Sequence, residues 1–177
     1  MTYATTLQSW HDFYQLTGTA AGSLVGLLFV GLSLHLSVVI KHPEVRALAR
    51  MTLSCFGITL VLALFLMIPE TLPANTGWEL LILGAVGSLL IVRSLVSGLR
   101  SEEHAIPFWR LILRFGLTAL TFIGISVCGV TLIAGDFQDA LDWLVVIAVF
   151  LVVLSLRNSW DLLVSVGEAV AQRNEPS

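Results

Sequence analysis

Charge is what this sequence has least of. Asp, Glu, Lys and Arg make up 12% of its 177 residues, hydrophobic residues 56%, and the mean hydropathy is +0.91. An ordinary soluble domain is about 25% charged. A water-soluble protein this apolar lacks the polar groups to cover its own surface, so composition places the chain among polytopic membrane proteins. The length allows one compact bundle and no separate soluble domain. No block of like charge points to a nucleic-acid partner.

Other absences narrow the chemistry. The chain has no HExxH, GxSxG, P-loop, GxGxxG or CxxC. His11 and Asp12 are a candidate catalytic pair, yet no nucleophile or ligand set accompanies them. An enzyme is therefore not expected, and neither a cofactor nor a metal is implied. Residues 1–40 contain no Lys or Arg, so the start lacks the basic region of a cleavable signal peptide and reads as a retained anchor. No two-half repeat is visible, which argues against an inverted-repeat transporter in one chain.

What is present is long apolar runs. Five are long enough to cross a hydrocarbon core roughly 30 Å thick, which takes about 20 helical residues. They fall at about 18–40, 47–68, 78–99, 109–134 and 140–163. The connections are short, and Pro43, Pro69, Pro73 and Pro107 stand at or beside them, where proline does least harm. The expected fold is all-α, a five-transmembrane-helix bundle over 18–167, with an amphipathic segment at 1–17 and a cytoplasmic tail at 168–177.

Orientation follows from Lys and Arg near the span ends. Lys41, Arg46 and Arg50 flank the first connection, and Arg93, Arg100, Arg110 and Arg114 the third; Arg157 and Arg173 belong to the C-terminal end. With five spans, all nine basic residues fall on one side, which sets the N-terminus out and the C-terminus in. Trp10, Trp78 and Trp143 then sit at outer ends and Trp109 and Trp160 at inner ones, as interfacial belts require. Cys55 and Cys128, the two cysteines, differ in depth by roughly 16 Å at 1.5 Å per residue. A disulfide needs Cα atoms within about 7 Å, so both read as small apolar core residues.

The first span carries "GTAAGSLVG", with Gly18, Gly22 and Gly26 at a strict spacing of four. Together with Ser33 and Ser37 they occupy an arc of roughly 100° on a helix. Each glycine costs a helix roughly 1 kcal/mol relative to alanine, and in lipid the return is close backbone approach between helices. Two readings stand: the groove receives a helix of the same chain, or it meets symmetry mates in a homo-oligomer. One version of the second lines a pore of a homo-oligomeric ion channel. In the preceding segment Gln8, His11, Asp12 and Gln15 continue the small-residue face, while Tyr3, Leu7, Trp10 and Tyr14 gather on another. Such a segment either lies in the interface or prolongs the first helix.

Charges at membrane depth need an account. Arg93, Arg114, Arg157 and Asp161 all fall in the inner third, with Arg157 and Asp161 one turn apart. They read either as snorkelling side chains with an i,i+4 ion pair or, with His35, as a basic pocket for anionic lipid phosphates or a permeating anion. On the outer side lie Asp12, Glu70, Glu79, Asp136, Asp139 and Asp142, whose spacing matches no metal-loop signature.

"WHDFYQLTGTAAGSLVGLLFVGLSLHL", Trp10 to Leu36, resembles the opening of a group of small bacterial membrane proteins sometimes labelled modulators of the FtsH protease. That resemblance covers about thirty residues and implies a regulatory membrane partner. The expectation from the sequence is thus a non-enzymatic, self-associating protein of a bacterial inner membrane, acting by helix–helix interaction or regulation. The alternative is the channel lined by the first helix.

Overall fold

Within a bilayer no water pairs with exposed backbone amides, so long apolar segments satisfy their own hydrogen bonds as helices. The computed structural model describes residues 2–41, 43–68, 72–99 and 108–174, and these form seven helices with no strand among them. They are α1 (Tyr3–Ser9), α2 (His11–Leu34), α3 (Leu36–Lys41), α4 (Pro43–Met67), α5 (Pro73–Leu99), α6 (Phe108–Ala134) and α7 (Phe137–Asn174). Five helices, α2 and α4 to α7, are long and apolar enough to cross a membrane. The chain is an all-α polytopic membrane bundle.

The span ends differ from the hydropathic ones in instructive ways. Helix α5 starts at Pro73, five residues before the apolar run, because proline at the first helical position has its φ preset and no amide to satisfy. Helix α4 starts at Pro43 in the same way. The first run, expected as one span to residue 40, breaks at His35 with φ −120° and ψ 27°. No proline or glycine stands at the break. Instead Ser33 Oγ donates to the carbonyl of Phe29 at 2.7 Å, and His35 Nδ1 lies 3.4 Å from the carbonyl of Gly31. Side chains that bond back to the preceding turn compete with the helical ladder and bend it. At the other end α2 already begins at His11. The "GD" between α6 and α7 is a Schellman stop: Gly135 has φ +94°, its amide donates to Leu132, and the Asp136 amide donates to Thr131.

Helix α4 is the centre of the bundle and packs against α2, α5 and α7; α5 pairs with α6, and α6 with α7. Accordingly α4 is the most buried span and α2 the least. One core cluster runs from Tyr3, Leu7 and Tyr14 through Leu62, Leu80 and Phe122 to Leu144 and Leu151. A second, of Leu28, Val39, Val45, Ala49, Leu162 and Val166, closes the far end, where α3 folds against α4 and α7. Neighbouring helices run antiparallel, since Gly77 meets Gly129 while Gly87 meets Phe122. The bundle therefore has two chemically different ends. Asp12, Glu79, Asp136, Asp139 and Asp142 stand at one; Lys41, Arg46, Arg50, Arg93 and Arg157, all exposed, stand toward the other.

The amphipathic start is helical, as α1. It turns at Trp10 and folds onto the acidic end. Tyr3 and Leu7 are buried, the Tyr3 ring meets Phe137 edge-on at 6.0 Å, and Tyr3 Oη donates to Thr76 Oγ1 at 2.7 Å. A seven-residue helix is too short to hold itself together in isolation. These contacts with α5 and α7 hold it.

Candidate helix-packing site

The glycine line on α2 begins inside the bundle and leaves it. Gly18 is buried, and a Cβ there would lie 3.1 Å from Ala63 Cβ on α4. At Gly22 a Cβ would meet only Leu60 Cδ1, at 3.8 Å, and at Gly26 nothing within 4 Å. Gly26, Ser33 and Ser37 are exposed. The cause is arithmetic. A helix turns 100° per residue, so a spacing of four advances about 40° per step and about 80° from Gly18 to Gly26. The buried face of α2 follows Tyr14, Thr17, Gly18, Ala21 and Leu28 instead. One half of the stripe serves the α2–α4 seam of the same chain, and the other half faces outward among Leu27, Val30 and Leu34, all exposed.

The closest helix approach lies elsewhere. Along α5 and α6, a Cβ on Gly77 would stand 2.7 Å from the Gly129 carbonyl oxygen, and one on Gly129 2.7 Å from that of Gly77. A Cβ on Gly84 would overlap Ser126 Oγ and come within 2.9 Å of the Phe122 carbonyl. A Cβ on Gly87 would stand 2.9 Å from the Phe122 ring. Here backbone touches backbone, the contact that holds helices together in lipid. Sequence reading missed this seam, because Gly77 and Gly84 are seven apart and form no GxxxG. The signal available was that seven-residue repeat, two turns of one helix face.

Arg93 on α5, His35 at the α2–α3 turn and Arg157 on α7 are each exposed, and Asp161 is half-buried. The Arg114 side chain lies outside the described residues. Trp78 and Trp143 at the acidic end and Trp160 toward the basic end are exposed. Glu70 also lies outside the described residues. Cys55 and Cys128 are free and buried. Among the described residues no three His, Cys, Asp or Glu side chains converge as metal ligands would.

No protein-family model, curated protein or solved structure matches this chain. The site is therefore read from its own geometry. What that geometry offers is helix-packing surface: a sealed seam between α5 and α6, a half-filled one between α2 and α4, and the open lower half of α2. Buried hydroxyls are mostly committed to their own helices, as with Thr17 to Phe13, Thr52 to Leu48 and Thr59 to Cys55. Asn158 and Ser155, fully buried on α7, are polar residues that sequence reading passed over.

Proposed function

We propose that this chain is a non-enzymatic, self-associating protein of a bacterial inner membrane that regulates a membrane partner through helix–helix contact. The observation that carries the reading is the position of α2. It is the outlying span, seated on α4 along one side, with Gly26 and Ser33 exposed on its free side. Small residues facing lipid let a second helix approach closely where leucine or valine would hold it off. The test is cross-linking of Ser33→Cys in membranes, with Cys55 and Cys128 replaced by alanine. Disulfide-linked pairs of chains support the reading, and a variant that stays monomeric under every oxidising condition contradicts it. Ready reaction of that thiol with a water-soluble reagent in place of pairing would favour a pore lined by α2.

In the proposed orientation the acidic end faces out and the basic end in, with the N-terminus out and the C-terminus in. The warrant is the one-sided distribution of Lys and Arg. Single cysteines placed at exposed positions within residues 70–77, such as Leu72 or Asn75, or within 135–139 are expected to label from the periplasmic face of intact cells, and those at 100–107 are not. Reversed labelling would overturn the orientation.

The exposed guanidinium groups at the basic end supply the second part of the reading, a surface for anionic lipid headgroups. Each Lys or Arg near an anionic leaflet is worth on the order of 1 kcal/mol. Replacing Arg93, Arg114 and Arg157 together with glutamine is expected to lower co-purified anionic lipid several-fold, as read by lipid mass spectrometry. Unchanged lipid content would leave these residues as simple snorkelling groups.

A further inference from the structure

The outward face of α2 differs in chemistry from those of its neighbours. In mid-span, α6 exposes Leu120, Ile123 and Val127, and α7 exposes Val146, Val149 and Val153. Bulky apolar side chains of that kind suit lipid. Helix α2 exposes Gln15, Thr19, Ser23, Gly26 and Ser33 instead. At 100° per residue, Asp12, Gln15, Thr19, Gly26 and Ser33 fall within an arc of about 60°. Val30 is the one bulky side chain inside that arc, and Leu16, Leu27 and Leu34 run along one edge of it. The arc lies opposite the buried face through Tyr14, Thr17, Ala21 and Leu28, so no helix of the same chain covers it.

The outer end of this face carries two groups of opposite character. Asp12 is exposed and His11 half-buried. Neighbours in sequence point about 100° apart on a helix and do not face each other. Seen down the axis they flank Gln15, His11 by about 40° on one side and Asp12 by about 60° on the other. Such a surface is complementary to itself. Around a two-fold axis each patch meets its own copy, and each flank meets the opposite flank. Copies inserted with the same topology lay their α2 helices parallel, so His11 of one chain then stands against Asp12 of the other, twice, at one height. Gln15, four residues inside the span, comes to the axis. Its carboxamide both donates and accepts, so two copies satisfy one another.

We propose that α2 binds the α2 of a second copy as a parallel two-fold pair, with Gln15 at the axis and reciprocal His11–Asp12 contacts across it. This rests on self-association through α2 and specifies its partner, orientation and register.

The test exchanges the two flanks without changing composition. His11→Asp/Asp12→His restores the contact within its own pairs but sets like against like, twice, in a mixed pair with the unaltered chain. Native mass spectrometry of the two full chains, co-expressed with tags of different mass, is expected to find both self-pairs and a mixed pair several-fold below the statistical half. Mixed pairs at the statistical level overturn this register while leaving self-association standing. An unaltered protein that stays a single chain removes both. Should the exchanged chain fail to fold, cysteine linking decides, with Cys55 and Cys128 replaced by alanine. His11→Cys chains mixed with Asp12→Cys chains are expected to link to each other more than either links to itself. Preferred self-linking, or linking only to a different protein, overturns the proposal.

Discussion

Gly84→Leu is expected to abolish the folded bundle. A Cβ alone at position 84 already overlaps Ser126 Oγ and reaches the Phe122 carbonyl oxygen at 2.9 Å and the Ser126 amide nitrogen at 3.2 Å. Two of those three atoms are backbone, so no rotamer change relieves the contact and α5 must move away from α6. Overpacking a filled core costs about 1–3 kcal/mol even where side chains yield. Here the separation also breaks the reciprocal Gly77–Gly129 contact along the same seam. Total stability of a domain is only about 5–15 kcal/mol, so yield of monodisperse protein and the thermal midpoint should both collapse. Gly26→Ala is the matched control: nothing lies within 4 Å of a Cβ at that position, and the change should leave stability level or raise it by up to about 1 kcal/mol through helix propensity. A Gly84→Leu protein with an unaltered midpoint would mean that α5 and α6 do not pack in this register.

The second large effect separates the two halves of the α2 stripe. Gly18→Leu is expected to destabilise the single chain, because its side chain must enter a seam where Ala63 Cβ already stands 3.1 Å from the glycine's Cβ position. The cost is on the order of 1–3 kcal/mol, and α2, held along one side only, has few other contacts to retain it. Gly26→Leu is expected to do the reverse. It leaves the chain's own fold and midpoint intact and removes association between chains, since the leucine would hold a neighbouring helix away. Differential scanning fluorimetry reads the first effect and chemical cross-linking the second. Equal loss of midpoint in both variants would place the whole line inside the chain.

The helices and their antiparallel order were legible in the sequence because the bilayer imposes them. A segment that must satisfy its own backbone across a fixed thickness announces itself by length and apolarity. Prolines at 43 and 73 then marked helix starts. The packing was less legible, for a geometric reason. Gly18, Gly22 and Gly26 look like one surface at a spacing of four, but a helix rotates that spacing off its buried face, and Gly26 ends exposed. The tighter seam sets Gly77 and Gly84, seven residues apart on one face of α5 and so invisible to a four-residue motif, against α6, where Gly129 meets Gly77. The break at His35 was hidden too, because it depends on which carbonyls Ser33 and His35 turn back to. Asn158 stands next to Arg157 and merges by sequence into a charged turn, and only the fold separates the exposed guanidinium from the buried amide. The inward fold of α1 needed a partner 73 residues away, Thr76, which no local pattern points to.

Self-association through α2 is the central claim, and the mass of the particle in lipid nanodiscs or mild detergent tests it most directly. One chain weighs 19.2 kDa. Native mass spectrometry is expected to find an integral multiple of that mass for the unaltered protein and a single chain for Gly26→Leu, with both proteins equally folded. An unaltered protein that remains a single chain at every protein-to-lipid ratio would contradict the account.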